Sequence, residues 1–91
     1  MTNPFVVRLG NKAEKQFKEL ETDIRTRVNQ LFADLEQTPI PFKKYDVKKI
    51  KGENDSYRIR LSRFRVLYQI SYPEKIIRVT KIERRSENTY D

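Results

Sequence analysis

Apolar residues recur with two different periods along the chain, which predict helices in its first half and strands in its second. Between residues 13 and 35 they return every three or four positions, the spacing of helices with one buried face: Ala13, Phe17, Leu20, Ile24, Val28, Leu31 and Leu35. This segment fits one long helix, or two helices separated near residues 21–23. Pro39 and Pro41 end it, because proline lacks an amide hydrogen and restricts the preceding residue.

Short segments rich in β-branched and aromatic residues predict strands on both sides of the helical region. One lies at residues 5–9 and three follow at residues 57–61, 64–71 and 76–82, separated by typical turn residues. The order β-α-α-β-β-β predicts a single α+β domain over residues 1–91. We expect two N-terminal helices packed on one face of a mostly antiparallel, twisted sheet.

Alternation along the last three strands separates an apolar face from a basic face. A two-residue turn at residues 62–63 pairs Leu61 with Phe64, Ile59 with Val66, and Tyr57 with Tyr68. The same register places Arg60 directly opposite Arg65. Uninterrupted alternation through the last strand then puts Ile82 beside Arg65. The basic face is predicted to carry Arg58, Arg60, Arg65, Arg78 and Arg84.

The composition excludes several classes of chemistry. The 91-residue chain has no His and no Cys, which excludes disulfide scaffolds, thiol nucleophiles and imidazole acid–base catalysis. Acidic residues do not cluster as the oxygen ligands of a metal would, so we predict no metal site and no cofactor. No apolar run reaches the ~18 residues of a membrane span. Because the N-terminus also lacks the pattern of a secretory signal, we expect a cytoplasmic protein with no membrane partner.

The net charge of +7 lies entirely in residues 43–91. The first 42 residues carry six basic and six acidic side chains, whereas the remainder carries fourteen basic and seven acidic ones. Such asymmetry attracts polyanions, and arginine can grip phosphate through two parallel hydrogen bonds. Two interpretations of the basic face stay open: an exposed sheet face with solvated arginines, or a concave phosphate-binding site with RNA or DNA as its partner. Lys49 and Lys51 belong to a basic run that would guide nucleic acid towards that face.

Three segments resemble the RelE/ParE superfamily of bacterial and archaeal toxins. They are the run from Asp46 to Gly52, the core YRIRL…FRVLYQI at residues 57–70, and the basic ending from Lys81 to Ser86 with Tyr90. The resemblance, strongest to RelE itself, implies the RelE-like microbial ribonuclease fold. It also implies the toxin of a type II toxin–antitoxin module, which enters the ribosomal A site and cleaves mRNA there without a metal. The substrate's own 2′-hydroxyl would attack the scissile phosphate, and a cognate antitoxin protein would neutralise the toxin.

The resemblance, together with the basic face, assigns candidate site residues. Those that would bind RNA are Arg58, Arg60, Lys49, Lys51 and Arg78. Arg65 matches the arginine beside the scissile phosphate. For a second catalytic arginine, strand alternation favours Arg84 and gap-free alignment favours Arg85. Tyr90 matches the family's terminal tyrosine and is a candidate general base, with Lys49 or Lys51 as the alternative.

Two other functions stay open within the resemblance. A ParE-like protein would inhibit DNA gyrase and cut no RNA, although gyrase poisons of this kind tend not to concentrate basic residues at these positions. A catalytically inactive homologue would bind only RNA or its partner.

Overall fold

Two helices pack on a five-stranded sheet in residues 4–85, the part of the chain that this computed structural model describes. The elements in chain order are β1 Val6–Leu9, α1 Asn11–Lys18, α2 Thr22–Gln37, β2 Asp46–Lys49, β3 Ser56–Leu61, β4 Phe64–Ser71 and β5 Ile76–Arg84. The predicted α+β order is confirmed with one addition, strand β2, which the sequence pattern left within a basic connecting stretch. The helical region is two helices rather than one.

The sheet is mixed, with the strand order β1-β5-β4-β3-β2. Strand β1 runs parallel to β5, while the β2–β3, β3–β4 and β4–β5 pairs are antiparallel. The chain therefore leaves one edge of the sheet after β1, forms both helices, and returns at the opposite edge as β2. Strand β1 and its parallel partner β5 are thus separated along the chain by both helices and by β2, β3 and β4.

The helices and one sheet face enclose the core. Helix α2 contributes Val28, Leu31 and Leu35, and strands β3, β4 and β5 contribute buried residues that include Ile59, Val66, Tyr68, Ile77, Val79 and Ile82. Tyr68 is only 1% exposed, and its hydroxyl donates a hydrogen bond of 2.8 Å to the carbonyl of Pro39. That bond satisfies the one polar atom of the ring and fixes the chain where it leaves α2. Within residues 4–85, neither helix is long and apolar enough to cross a membrane.

The β3–β4 register is the predicted one, with the pairs Leu61–Phe64, Ile59–Val66, Tyr57–Tyr68 and Arg60–Arg65. The β4–β5 register follows the prediction only as far as Tyr68, which lies opposite Val79. The next pair joins Leu67 to Lys81, so a β-bulge leaves Thr80 with no residue opposite it. The Thr80 hydroxyl donates to the carbonyl of Leu67 at 3.3 Å.

The bulge moves every later residue of β5 to the other face. The prediction that Ile82 lies beside Arg65 is therefore wrong: Ile82 lies opposite Val66 in the core, and Glu83 lies opposite Arg65. Because side chains alternate with a period of two, one extra residue is enough to exchange the faces.

Candidate nucleic-acid interface

The sheet face away from the helices, called here the open face, carries charged side chains in two adjacent rows. One row crosses the sheet as Asp46, Arg60, Arg65 and Glu83. The next consists of Lys48, Arg58, Leu67 and Lys81. The predicted arginines of β3 and β4 thus do share a face, and a carboxylate lies at each end of their row.

A groove of about 410 Å³ lies on the open face and is called here the basic groove. It is lined by Lys48, Lys49, Ile50, Lys51, Glu53, Arg58, Arg65, Leu67 and Glu83. Five of these side chains are cationic and two are acidic. The groove therefore brings together four predicted site residues, Lys49, Lys51, Arg58 and Arg65. Arg60 stands beside Arg65 in its row without lining the groove.

Asp46 holds the two arginines of β3. Arg58 is 7% exposed, and its Nη1 lies 3.4 Å from Oδ1 of Asp46 and donates to the Asp46 carbonyl at the same distance. Nη1 of Arg60 donates to Oδ2 of Asp46 at 3.2 Å. Burying a guanidinium is costly without such partners, so the position of Arg58 depends on Asp46. The missed strand β2 supplies this carboxylate.

Glu83 contacts Arg65 inside the basic groove. Nη2 of Arg65 lies 2.5 Å from Oε1 of Glu83, and both side chains are about three-quarters buried, at 24% and 27% exposure. Oε2 of Glu83 lies 3.7 Å from Nζ of Lys81. The strand pattern did not predict this contact, because uninterrupted alternation along β5 would have turned Glu83 towards the helices.

Two other predicted arginines lie away from the groove. The prediction that Arg84 belongs to the basic face is wrong, because the bulge places it opposite Phe64 on the helix-packed face. There it lines a separate recess with Gln16 and Leu20. Arg78 lies opposite Gln69 on the open face, as predicted, but lines a different recess near the β4–β5 turn.

The end of β5 leads to Arg85, the alternative to Arg84. Its main-chain N–H donates to the carbonyl of Arg63 at 2.7 Å, and its Nη1 donates to the carbonyl of Ser62 at 3.3 Å. Arg85 is thereby fixed against the β3–β4 turn and does not line the basic groove. Tyr90 lies outside the described residues.

The tyrosines among residues 4–85 make ring contacts or side-chain hydrogen bonds away from the basic groove. Burial is the main cause that raises the pKa of Tyr68, of Tyr72, and of Tyr45, the last to about 12. Tyr57 stacks on Tyr68 with ring centroids 5.8 Å apart. No tyrosine among residues 4–85 lines the basic groove. Within the same residues, no group of three or more acidic side chains is arranged to hold a metal ion.

The two-helix, five-stranded architecture is the fold of the RelE toxins. A chain of the archaeal RelE–RelB complex from Pyrococcus horikoshii OT3 superposes with a TM-score of 0.83 and 29% identity, over 92% of this chain and 98% of that one. The isolated E. coli RelE toxin superposes with a TM-score of 0.78 and 19% identity, over 92% of this chain and 87% of that one. At 19% identity, the similarity to the E. coli toxin shows a shared fold alone.

Sequence similarity then identifies the family. Residues 7–89 match the family described as the ParE toxin of the type II toxin–antitoxin system, parDE. The protein named "Putative toxin RelE1" from Methanocaldococcus jannaschii is 35% identical over 81 residues, which are 89% of this chain and 90% of that protein. The chain belongs to the ParE toxin family, within the RelE/ParE superfamily that its strand motifs resemble.

Proposed function

We propose that this chain is the toxin of a RelE-type toxin–antitoxin module and that it cleaves mRNA in the ribosomal A site. The observation that carries the proposal is the convergence of Arg58, Arg65, Lys49 and Lys51 on one groove. RNA binding depends mainly on cations that neutralise backbone phosphates, and the basic groove offers five of them. The 35% identity to a protein named as a RelE toxin supports the same activity.

The proposed reaction uses the groove to hold one phosphate and its flanking nucleotides. The 2′-hydroxyl attacks the adjacent phosphorus, the bond to the 5′-oxygen breaks, and a 2′,3′-cyclic phosphate and a 5′-hydroxyl are left. Arg65 and Arg58 neutralise the phosphate oxygens as charge builds on them. Asp46 restricts the motion of Arg58 before substrate arrives, and such preorganisation is what makes donors effective. The ribosome would supply in-line alignment of the message, which a shallow groove does not.

We propose a cognate antitoxin as the second partner. The relatives from Pyrococcus horikoshii and E. coli have been solved as RelE–RelB and RelBE complexes. An antitoxin that covers the basic groove with acidic side chains would neutralise its charge and exclude mRNA at once.

Cleavage on ribosomes programmed with a defined A-site codon tests the proposal. The 5′ ends of the message are mapped after adding wild-type protein, the Arg65→Ala variant or the Arg8→Ala variant. Arg8 is an exposed arginine on the same open face, opposite Arg78 and outside the basic groove. We expect cuts within the A-site codon from wild type and Arg8→Ala, and a rate about 10²–10³ lower from Arg65→Ala. An intact message with wild-type protein would refute the proposal.

The match to the ParE family favours a second candidate function, inhibition of DNA gyrase. The same protein preparation is therefore added to gyrase and relaxed plasmid. Loss of supercoiling with an intact message would support gyrase inhibition. Binding to RNA or antitoxin without either effect would indicate an inactive homologue.

A further inference from the structure

The basic groove contains a carboxylate that the proposed function leaves without a role. We propose that Glu83 is the general base of the cleavage reaction, the group that takes the proton from the attacking 2′-hydroxyl. This inference rests on the proposed function and deepens it.

A specific irregularity of the backbone delivers Glu83 to the groove. The bulge at Thr80 turns Glu83 to the open face and Ile82 to the core. β-Bulges are frequent beside active sites, where they re-aim a side chain. Here the bulge removes Arg84 from the open face and adds a carboxylate to it.

Glu83 contacts the same guanidinium that is assigned to the scissile phosphate. One nitrogen of Arg65, Nη2, donates to Glu83 at 2.5 Å. A guanidinium has five N–H donors in a planar fork, so one edge can hold a phosphate while another holds a carboxylate. The 2′-hydroxyl is attached to the carbon next to the one that bears the scissile phosphate. A phosphate bound to Arg65 therefore brings this hydroxyl towards Glu83.

The other charged residues that line the groove with Glu83, or contact it, are all cations except Glu53. They are Arg65 from β4, Arg58 from β3, Lys48 and Lys49 from β2, Lys51 and Glu53 from the following loop, and Lys81 from β5. Guanidinium and ammonium groups are donors with no acceptor site. Glu53 is an exposed loop residue. Glu83 is three-quarters buried and held by two cations, so it is the anchored carboxylate of the groove.

The proton balance of the step is complete without a further reactant. Glu83 takes the 2′-hydroxyl proton as the 2′-oxygen bonds to phosphorus and the bond from phosphorus to the 5′-oxygen breaks. Water donates a proton to the leaving 5′-oxygen. Glu83 afterwards returns its proton to water, and the cyclic phosphate and 5′-hydroxyl products leave.

Single-turnover cleavage on programmed ribosomes tests Glu83 with three variants. Glu83→Gln keeps an oxygen that accepts from Arg65 but removes the basicity, so it separates proton transfer from positioning. Glu83→Asp keeps the carboxylate at a shorter reach. Glu53→Gln removes the other negative charge of the groove and is the matched electrostatic control. Urea unfolding verifies that each variant is folded, and the rate is measured against pH and against toxin concentration.

We expect Glu83→Gln to lower the single-turnover rate about 10²–10⁴-fold, with half-saturation at a lower toxin concentration. The rise of rate with pH on the acid side should disappear in Glu83→Gln and persist in Glu83→Asp and Glu53→Gln. A Glu83→Gln variant that cleaves as fast as wild type, or keeps the acid-side rise, would overturn the assignment while leaving the proposed function intact. Absence of cleavage by wild-type protein would overturn both.

Discussion

Replacing Arg65 by alanine should destabilise the folded protein by about 1 kcal/mol, even though it removes one of two arginines that lie directly opposite each other. Like charges paired across strands destabilise a sheet by an amount comparable to the ~0.2–1 kcal/mol that an opposite-charge pair contributes, and relief of the Arg60–Arg65 contact favours the variant by at most that amount. Because Asp46 already neutralises part of the charge of Arg60, we expect the relief to lie near the lower end of this range.

The opposing contribution comes from Glu83, which loses the 2.5 Å contact with Arg65. An exposed ion pair contributes about 0–1 kcal/mol, whereas breaking a fully buried one costs about 3–5 kcal/mol. With side chains 24% and 27% exposed, this pair lies between those limits. In the variant the Glu83 carboxylate also keeps Lys81 as a partner, with Nζ 3.7 Å from Oε2. We therefore assign the loss about 1–2 kcal/mol, which exceeds the relief.

Urea unfolding followed by circular dichroism measures the difference, and a double-mutant cycle with Glu83→Ala isolates the pair. A loss of 1 kcal/mol should lower Tm by about 4–8 °C in a domain of this length. The cycle should give a coupling energy of about 1 kcal/mol, whereas Arg8→Ala, at an exposed site, should stay within about 0.5 kcal/mol of wild type. An Arg65→Ala variant as stable as wild type, or a coupling energy near zero, would refute the reasoning.

Two further predictions concern residues outside the groove. Asp34 accepts a hydrogen bond from Tyr45, and this bond is the main cause that lowers the pKa of Asp34 below its ordinary 3.8. Asp34→Asn should therefore lower the free energy of unfolding by about 1–2 kcal/mol at neutral pH. Urea titrations should show this difference from wild type vanish as the pH falls through the lowered pKa of Asp34. A difference that stays constant with pH would contradict this. Because Thr80 has no residue opposite it, deleting Thr80 should leave the protein folded with Arg65 still opposite Glu83. The lost hydrogen bond of the Thr80 hydroxyl should lower the free energy of unfolding by about 1 kcal/mol. Urea unfolding measures that cost, and an unfolded deletion variant would contradict it.

Where sequence predicted the structure, local rules left little choice. The repeating apolar stripe could bury itself only as helices, and a two-residue turn with three apolar pairs fixed the register of β3 against β4. The same register placed Arg58, Arg60 and Arg65 on one face, so the centre of the candidate site was predictable.

Strand β2 was missed because its sequence has the composition of a solvated loop. Asp46–Lys49 contains one apolar residue, Val47, which lies opposite Ile59. Lysines on a short edge strand are typical, since they discourage pairing with other chains, but they also erase the alternation that identifies a strand. Because β2 was missed, the contacts between Asp46 and the arginines of β3 were not predicted either.

The bulge was missed for a different reason: one unpaired residue leaves no mark in composition or period. Thr80 is an ordinary strand residue, and uninterrupted alternation through it predicts a plausible but opposite set of faces. The burial of Ile82 reveals the shift, because a register that left this residue on the open face would forfeit its place in the core. Core packing thus selected the bulge, and the position of Glu83 follows from it.

The two carboxylates stabilise the row of arginines, and in the proposed mechanism Glu83 also serves as the general base. Arginines on adjacent strands repel one another, and Asp46 and Glu83 offset that repulsion from the two ends of the row. A site that contained only cations would bind phosphate more strongly in the ground state and transition state alike, which does not accelerate the chemical step. Removal of charge at Glu83 is therefore expected to raise affinity for RNA while lowering the cleavage rate, whereas removal of Arg65 lowers both. RNA affinity that rises in the Glu83 variant and falls in the Arg65 variant would separate the roles of these two residues in catalysis from their shared role in folding.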